Sequence, residues 1–116
     1  MLSGGRREDK GRSKIVDKTI EEGDRVALTL REKGIEAEHV GITIEEVIGR
    51  YSVVLAPDGI SGNLLFRALG LLGGWRPWGA PLLTHELVYV DSSRANRSFE
   101  RQIALASALV SLIKKV

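Results

Sequence analysis

Two short segments of the chain place small, polar and charged residues directly after an apolar run. The first, residues 57–63, reads Pro-Asp-Gly-Ile-Ser-Gly-Asn, and the second, residues 91–94, reads Asp-Ser-Ser-Arg. A glycine-rich turn that leads into a helix leaves backbone N–H groups unpaired, and the positive end of the helix dipole favours an anion there. The first segment is such a turn, so it predicts a site for a phosphate or a similar anion; the second segment is considered for its arginine and serines.

The first segment offers four candidate ligand-binding residues, Asp58, Ser61, Gly62 and Asn63. We expect Asp58 to hold a hydroxyl group or a basic side chain of a partner, while Ser61 and Asn63 can cap the helix that follows. The same residue types are typical of turns and helix caps that bind no ligand. The segment alone leaves the ligand site and plain capping open.

The second segment offers Asp91, Ser93 and Arg94. The planar guanidinium of Arg94 can pair bidentately with a phosphate or a carboxylate, and a neighbouring serine hydroxyl can donate to the same anion or stabilise a leaving thiolate. The alternative is a serine cluster that caps the next helix beside a solvated arginine. The glycine-rich opening, residues 3–7, is a third candidate anion loop, although it does not match the P-loop pattern.

Composition narrows the possible functions. The chain has 116 residues, 43% of them hydrophobic and 28% charged, which is typical of one soluble domain. Its net charge of +2 gives little reason to expect a nucleic-acid partner. No cysteine is present, and the two histidines lack a metal-ligand spacing, so we expect no metal and no resident cofactor. The apolar stretches are too short for a bilayer span and no signal peptide is apparent, so we expect a cytoplasmic protein without membrane contact.

The expected elements alternate between strand and helix. A long amphipathic helix runs from Ser13 to a stop at Gly34, a short helix starts at Thr43, a third covers residues 64–72, and a closing helix covers residues 99–115. Strands are expected at residues 36–42, 52–56, 80–84 and 87–90. The run at 52–56 does not alternate and ends at Pro57, which indicates a central strand buried on both faces, with a loop over residues 58–63. This order predicts an α/β fold of three layers with a mostly parallel sheet.

The motifs, taken together, resemble those of the phosphate acetyl/butyryltransferases. The resemblance covers nearly the whole chain and is carried by Pro57-Asp58, the Ser61-Gly62-Asn63 turn, Gly73-Gly74, Gly79, Pro81, Asp91 and Ser93-Arg94. Residues 2–9 and 56–63 look most similar to the MtxX subgroup, the phosphotransacetylase-like methanogenesis marker proteins of methanogenic archaea, which carry a methyltransferase-related name.

The resemblance implies a fold like that of isopropylmalate dehydrogenase, a cleft between two lobes, and a dimer. It implies transfer of an acyl group between phosphate and coenzyme A, with coenzyme A as a substrate. Ser93 would steady the leaving thiolate and Arg94 would bind phosphate or coenzyme A. At the position of Glu100 the transferases have an aspartate, which is proposed as the base. The side chain of aspartate is one methylene shorter than that of glutamate.

The resemblance also concerns the extent of the chain. Members of the family are longer, and residues 1–3 look like the end of a strand whose beginning is missing, so we expect a natural short form or the C-terminal part of a longer protein. Three hypotheses follow. The chain is a transferase, or a non-catalytic binding or regulatory subunit that retains the cleft, or a truncated form without independent activity. Under either of the first two hypotheses, we expect one ligand to contact Ser61, Asn63, Ser93 and Arg94.

We predict that the chain self-associates. A domain that lacks half of its expected framework leaves apolar faces uncovered, and uncovered patches of several hundred Å² usually find a partner (roughly 300–600 Å² is already the largest patch of an ordinary monomer). Light scattering at micromolar concentration is expected to report a mass larger than one chain. A stable monomer would contradict the prediction.

Overall fold

A computed structural model describes residues 1–113 and divides the chain into two compact units, Met1–Ala68 and a second that begins at Leu69. The described residues form α1 (Lys14–Glu32), α2 (Gly59–Arg67) and α3 (Glu100–Ile113), together with β1 (Ala80–Pro81) and β2 (Val90–Asp91). Single helical turns occur at Arg7–Asp9, Ile44–Glu46 and Ala68–Leu72. The mixed helix and strand content agrees with the expected α/β class.

The long helix α1 confirms the prediction made from its periodicity. Its buried residues are Ile20, Gly23 and Ala27, which lie on one face because they are three and four positions apart. Ser13 occupies the N-cap position, and Gly34 follows the helix with a φ of +77°, a conformation that a residue without a side chain adopts at no steric cost.

Residues 1–3 lie between two extended segments of the first unit. Ser3 N–H donates to the Gly41 carbonyl at 3.0 Å and Val40 N–H donates to the Met1 carbonyl at 3.1 Å, which makes a parallel bridge between Leu2 and Gly41. On the other side Leu2 N–H donates to the Leu55 carbonyl at 2.8 Å. The pairing is strand-like, but it is too short to count as a ladder.

The three-layer, mostly parallel sheet is wrong for the described residues, since the sheet they contain has two antiparallel strands. Residues 52–56 form no strand, and the 36–42 run contributes only the bridge at Gly41. Val53 is 73% exposed, so its run is not buried on both faces. The physical reason is the pairing: among the described residues, one bridge joins Leu2 to Gly41 and one bond joins Leu2 N–H to the Leu55 carbonyl, which makes no ladder along either run.

The helix α2 begins earlier than the sequence indicated. Residues 59–63, expected in a loop, form its first turn and Asp58 is its N-cap, so the predicted loop over residues 58–63 is wrong. The helical region continues as a π-helical turn to Leu72 and ends before Gly73, as expected. The short helix expected after Thr43 is the single 3₁₀ turn at Ile44–Glu46.

The second unit contains the sheet and α3. Ala80 pairs with Asp91 and Pro81 with Val90, so the two strands are much shorter than the predicted 80–84 and 87–90. The helix α3 packs against β2 and places the start of the helix close to the end of the hairpin. The predicted helix end at Lys115 lies outside the described residues. Along residues 1–113 no helix has the length and apolar character that crossing a membrane requires.

We predict that Gly79→Ala destabilises the second unit more than Gly74→Ala does. Both glycines have positive φ, +114° and +70°, so both substitutions carry backbone strain of about 1–3 kcal/mol. A Cβ at Gly79 would also lie 2.6 Å from Val90 Cγ1 and 2.8 Å from the Asp91 carbonyl oxygen, whereas a Cβ at Gly74 meets nothing within 4 Å.

Urea unfolding followed by tryptophan fluorescence measures the difference, because both tryptophans, Trp75 and Trp78, belong to this unit. Equal losses of stability in the two variants would show that the close approach at Gly79 is relieved without cost.

Candidate functional site

The segment before α2 forms a helix cap. The Asp58 carboxylate accepts hydrogen bonds from Ser61 N–H at 2.8 Å and from Ser61 Oγ–H at 2.9 Å. Both bonds hold the pKa of Asp58 below its ordinary value, and the bond from the Ser61 backbone has the largest effect. The capping interpretation of this segment is therefore realised, and the carboxylate occupies the place at the helix end that an anionic ligand would take.

The neighbours of the cap have separate environments. Gly62 packs closely, since a Cβ there would lie 3.2 Å from Ala56 Cβ, and Asn63 is exposed. Ser61 lines a small open pocket together with Ser3 and Pro57. A ligand-binding role for Asp58, Ser61, Gly62 and Asn63 stays a prediction.

The segment after β2 is a tight turn. Asp91 accepts from Ser92 N–H at 2.8 Å through its carboxylate, Ser93 Oγ accepts from Ala95 N–H at 3.3 Å, and the Ser93 carbonyl accepts from Asn96 N–H at 2.9 Å. Arg94 is exposed within the turn. Glu100 is the first residue of α3, and its N–H donates to Ser98 Oγ at 3.4 Å.

Glu100 also lines an open pocket of ≈ 390 Å³ at the start of α3. The pocket is polar and basic, because Arg97 and Arg101 line it as well. The guanidinium of Arg101 lies over the Trp78 ring, 5.9 Å from its centroid, an arrangement that favours a fixed orientation of the planar group. The structure thus brings one predicted catalytic residue, Glu100, beside two cations that can pair with phosphate.

Gln102 is the functional candidate that the sequence motifs did not reveal. The residue lines the same pocket, is only 7% exposed, and its Oε1 has no hydrogen-bond partner among the described residues. A buried carbonyl oxygen without a donor costs about 1–3 kcal/mol, so a ligand that supplies an N–H or O–H gains from pairing with it. The helical spacing could have indicated this residue. Gln102 is a polar residue on the same inward-facing side of α3 as Leu105 and Leu109.

A second polar cluster in the first unit also escaped the motif analysis. His39 Nδ1 lies 2.8 Å from Asp24 Oδ1 and its Nε2 lies 2.8 Å from Ser3 Oγ. The sequence placed Ser3 only in a glycine-rich candidate anion loop, residues 3–7. The three residues come from separate parts of the chain, so no local spacing connects them.

The predicted convergence of Ser61, Asn63, Ser93 and Arg94 stays a prediction. Ser61 and Asn63 belong to the unit Met1–Ala68, and Ser93 and Arg94 to the unit that begins at Leu69.

The chain is similar over nearly its whole length to proteins of methanogens. It is 47% identical over 115 residues to a Methanosarcina acetivorans protein named "Putative methyltransferase mtx subunit X", covering 99% of this chain and 41% of that protein. A Methanosarcina barkeri protein of the same name is also 47% identical, with 99% and 42% covered. An uncharacterised methyltransferase of Methanopyrus kandleri is 45% identical over 114 residues, with 94% and 44% covered.

The similarity to relatives named mtx subunit X agrees with the subgroup expected from the sequence. The chain spans about two fifths of the length of these curated relatives, 41% of the first. No protein-family model matches the chain. No solved structure matches it either.

We predict that the cap of α2 weakens in acid. Because the folded protein lowers the pKa of Asp58, the stabilisation it provides is fully present above the unfolded value of about 3.9 and is lost as the pH falls through the lower folded value. Hydrogen-exchange protection of the Ser61 amide, measured by NMR, is therefore expected to hold at pH 5 and to fall below about pH 4.

Asp58→Asn is the matched control for this experiment. Its amide oxygen can accept from the same Ser61 N–H but does not titrate, so protection in this variant should change little with pH. If wild type and variant lose protection in parallel, the loss has another origin.

Proposed function

We propose that this chain is part of a methyltransferase-related protein of methanogens and binds a phosphate-bearing small molecule of the coenzyme A type in the pocket at the start of α3. The observation that carries the proposal is Gln102, which lines a pocket together with Arg97 and Arg101 and whose buried Oε1 has no partner among the described residues. The methyltransferase link rests on the names of the relatives in Methanosarcina and Methanopyrus.

The two kinds of groups in the pocket favour a ligand with two kinds of chemistry. The guanidinium groups of Arg97 and Arg101 favour phosphate oxygens, which accept hydrogen bonds. Gln102 Oε1 can only accept, so its partner must be an N–H or O–H group. Coenzyme A carries phosphates together with separate amide and hydroxyl donors, so different groups of one ligand can pair with the arginines and with Gln102, whereas inorganic phosphate must use one small ion for both. A coenzyme A type ligand therefore fits the pocket better than a bare anion.

The proposed reaction class is transfer of an acyl or methyl group. In this proposal Arg94 binds phosphate beside the pocket, Ser93 steadies a leaving thiolate, and Glu100 acts as the base. The order of motifs that resembles the phosphate acetyl/butyryltransferases supports these roles. The position of Glu100 at the pocket, in the first turn of α3, supports its proposed role as the base.

The second candidate function is a non-catalytic binding or regulatory subunit. It is favoured by the contacts of Ser93, because its hydroxyl and its carbonyl both accept hydrogen bonds from the following turn. These contacts give the serine a structural role without any substrate. A dependence on further polypeptide, either a second copy or the part that the longer relatives contain, is compatible with both candidates.

Titration calorimetry with coenzyme A, acetyl phosphate and inorganic phosphate tests the proposal. Arg101→Ala and Arg94→Ala are each expected to lose about 1.5–3 kcal/mol of affinity for coenzyme A, the range for a hydrogen bond to a charged group. Arg94→Lys should recover only part of the loss, because an ammonium group cannot reproduce the bidentate fork. Arg67→Ala, an exposed arginine of α2, is the matched control and should bind as wild type does.

Gln102→Met separates binding from stability. The substitution removes a buried acceptor that has no partner, so the free protein should be as stable as wild type or more stable, while affinity for coenzyme A falls. Its affinity for inorganic phosphate should be unchanged.

If Arg94→Ala alone binds coenzyme A with full affinity, Arg94 is not part of the site. If coenzyme A binds no better than phosphate to the wild type, the proposed ligand class is wrong.

A further inference from the structure

Ser3, His39 and Asp24 form a hydrogen-bonded series in the first unit, apart from the pocket at α3. The ionised carboxylate of Asp24 can only accept, so His39 Nδ1 carries the hydrogen and donates to it at 2.8 Å. In the neutral imidazole, Nε2 is then the free acceptor, and it lies 2.8 Å from Ser3 Oγ. A hydroxyl, a base and a carboxylate that orients the base are the components of a nucleophilic serine site, which geometry rather than chain order identifies.

The imidazole ring is fixed in place. Its side chain is 1% exposed, and Gly23 of α1 lies directly against it. A Cβ at position 23 would lie 2.7 Å from both Cδ2 and Nε2 of the ring. Glycine inside a helix costs about 1 kcal/mol relative to alanine, and here the missing side chain provides the space that the ring fills. The base therefore has one orientation, set by packing as well as by Asp24.

Ser3 is fixed by its backbone. Its N–H donates to the Gly41 carbonyl at 3.0 Å, and the preceding N–H, that of Leu2, donates to the Leu55 carbonyl at 2.8 Å. The hydroxyl oxygen also lies 2.9 Å from the Gly5 carbonyl, which is a second acceptor for its hydrogen. The hydroxyl can thus rest on Gly5 or turn to His39 without any movement of the chain.

The charge arrangement keeps the carboxylate of Asp24 ionised beside His39. Arg7 contacts the same oxygen of Asp24, Oδ1, at 2.6 Å. The hydrogen bond from His39, aided by the guanidinium of Arg7, holds the pKa of Asp24 below its ordinary value. The carboxylate is therefore ionised at neutral pH and holds the His39 ring in the tautomer whose Nε2 faces Ser3 as an acceptor.

A small pocket gives access to the serine. Ser3 lines it together with Gly4, Ile42, Pro57 and Leu65, and its volume is ≈ 190 Å³. Ser3 itself is 3% exposed, so a substrate must be a small group that enters the pocket. The surface of this pocket is mostly apolar, which favours an uncharged acyl chain over a bare anion.

We propose that Ser3 is a nucleophile, activated by His39 and Asp24, that accepts a short acyl group from an activated ester or thioester. Ser3 Oγ forms a bond to the carbonyl carbon and its proton passes to His39 Nε2. The bond from that carbon to the leaving oxygen or sulfur breaks, and the leaving group takes the proton from His39 as an alcohol or thiol. The product is an ester on Ser3, and no oxidant, reductant or further reactant is consumed.

The experiment treats the full chain with p-nitrophenyl acetate and follows p-nitrophenolate release. Trypsin then frees the peptide of residues 1–6, in which mass spectrometry locates the acetyl group. Hydroxylamine distinguishes the two possible products, because it removes an ester on Ser3 and leaves an amide on the Met1 amine. We expect a hydroxylamine-labile acetyl group on Ser3. S-phenyl thioacetate in place of the ester distinguishes thioesters from oxygen esters as the preferred donor.

Three variants test the assignment. Ser3→Ala should lose the labile acetyl group and keep the amide. His39→Gln should lower the acylation rate by about 100-fold or more, the usual contribution of a general base. Asp24→Asn should lower it as well, and it offers a second route to the answer if His39→Gln does not fold. Ser52→Ala, an exposed serine outside the pocket, is the control and should react as wild type does.

The proposal is overturned by either of two results. The first is a wild-type chain with no acetyl group on Ser3. The second is a His39→Gln or Asp24→Asn variant that has the circular dichroism spectrum of wild type and acylates Ser3 at the wild-type rate. In that case the three residues serve only to hold residues 1–3 against α1.

Discussion

The first unit depends on the backbone pairing of residues 1–3 with the segments on either side. Glu38, Val40 and Gly41 pair with one edge of this short stretch, and Leu55 pairs with the other. Leu2 and Ser3 are almost completely buried as a result, at 4% and 3% exposed. Because buried backbone groups must find partners, these few bonds decide where the extended segments lie and which side chains face α1.

This constraint explains which parts of the fold the sequence could predict. The helix α1 was predicted closely because its information is local, in the spacing of Ile20, Gly23 and Ala27 and in the stop at Gly34. The strands were not, because a strand exists only if another segment of sufficient length pairs with it. Val53 and Leu55 have the composition of a buried strand, yet they are 73% and 43% exposed, and in the described residues one backbone bond, from Leu2 N–H to the Leu55 carbonyl, pairs this run.

The same distinction between local and distant information holds for the sites. The residues around Asp58 and Ser61 were found because they are adjacent in sequence, but adjacency could not tell a cap from a ligand site. Glu100 was found through a resemblance, and its place at a pocket is consistent with it. Gln102 and His39 were missed, since their importance lies in burial and in contacts with residues distant along the chain.

The two buried polar groups point to different kinds of chemistry. Both ring nitrogens of His39 lie within hydrogen-bond distance of a partner, Asp24 or Ser3. These contacts fix the orientation of the ring, and a fixed ring suits proton transfer. Among the described residues no donor pairs with the carbonyl oxygen of Gln102, and a buried acceptor without a donor suits binding. Exposed arginines and serines are common on any surface, whereas a buried polar group has a desolvation cost that some interaction must offset. For that reason Gln102 and His39 are stronger indicators of function in this chain than the exposed motifs at residues 57–63 and 91–94.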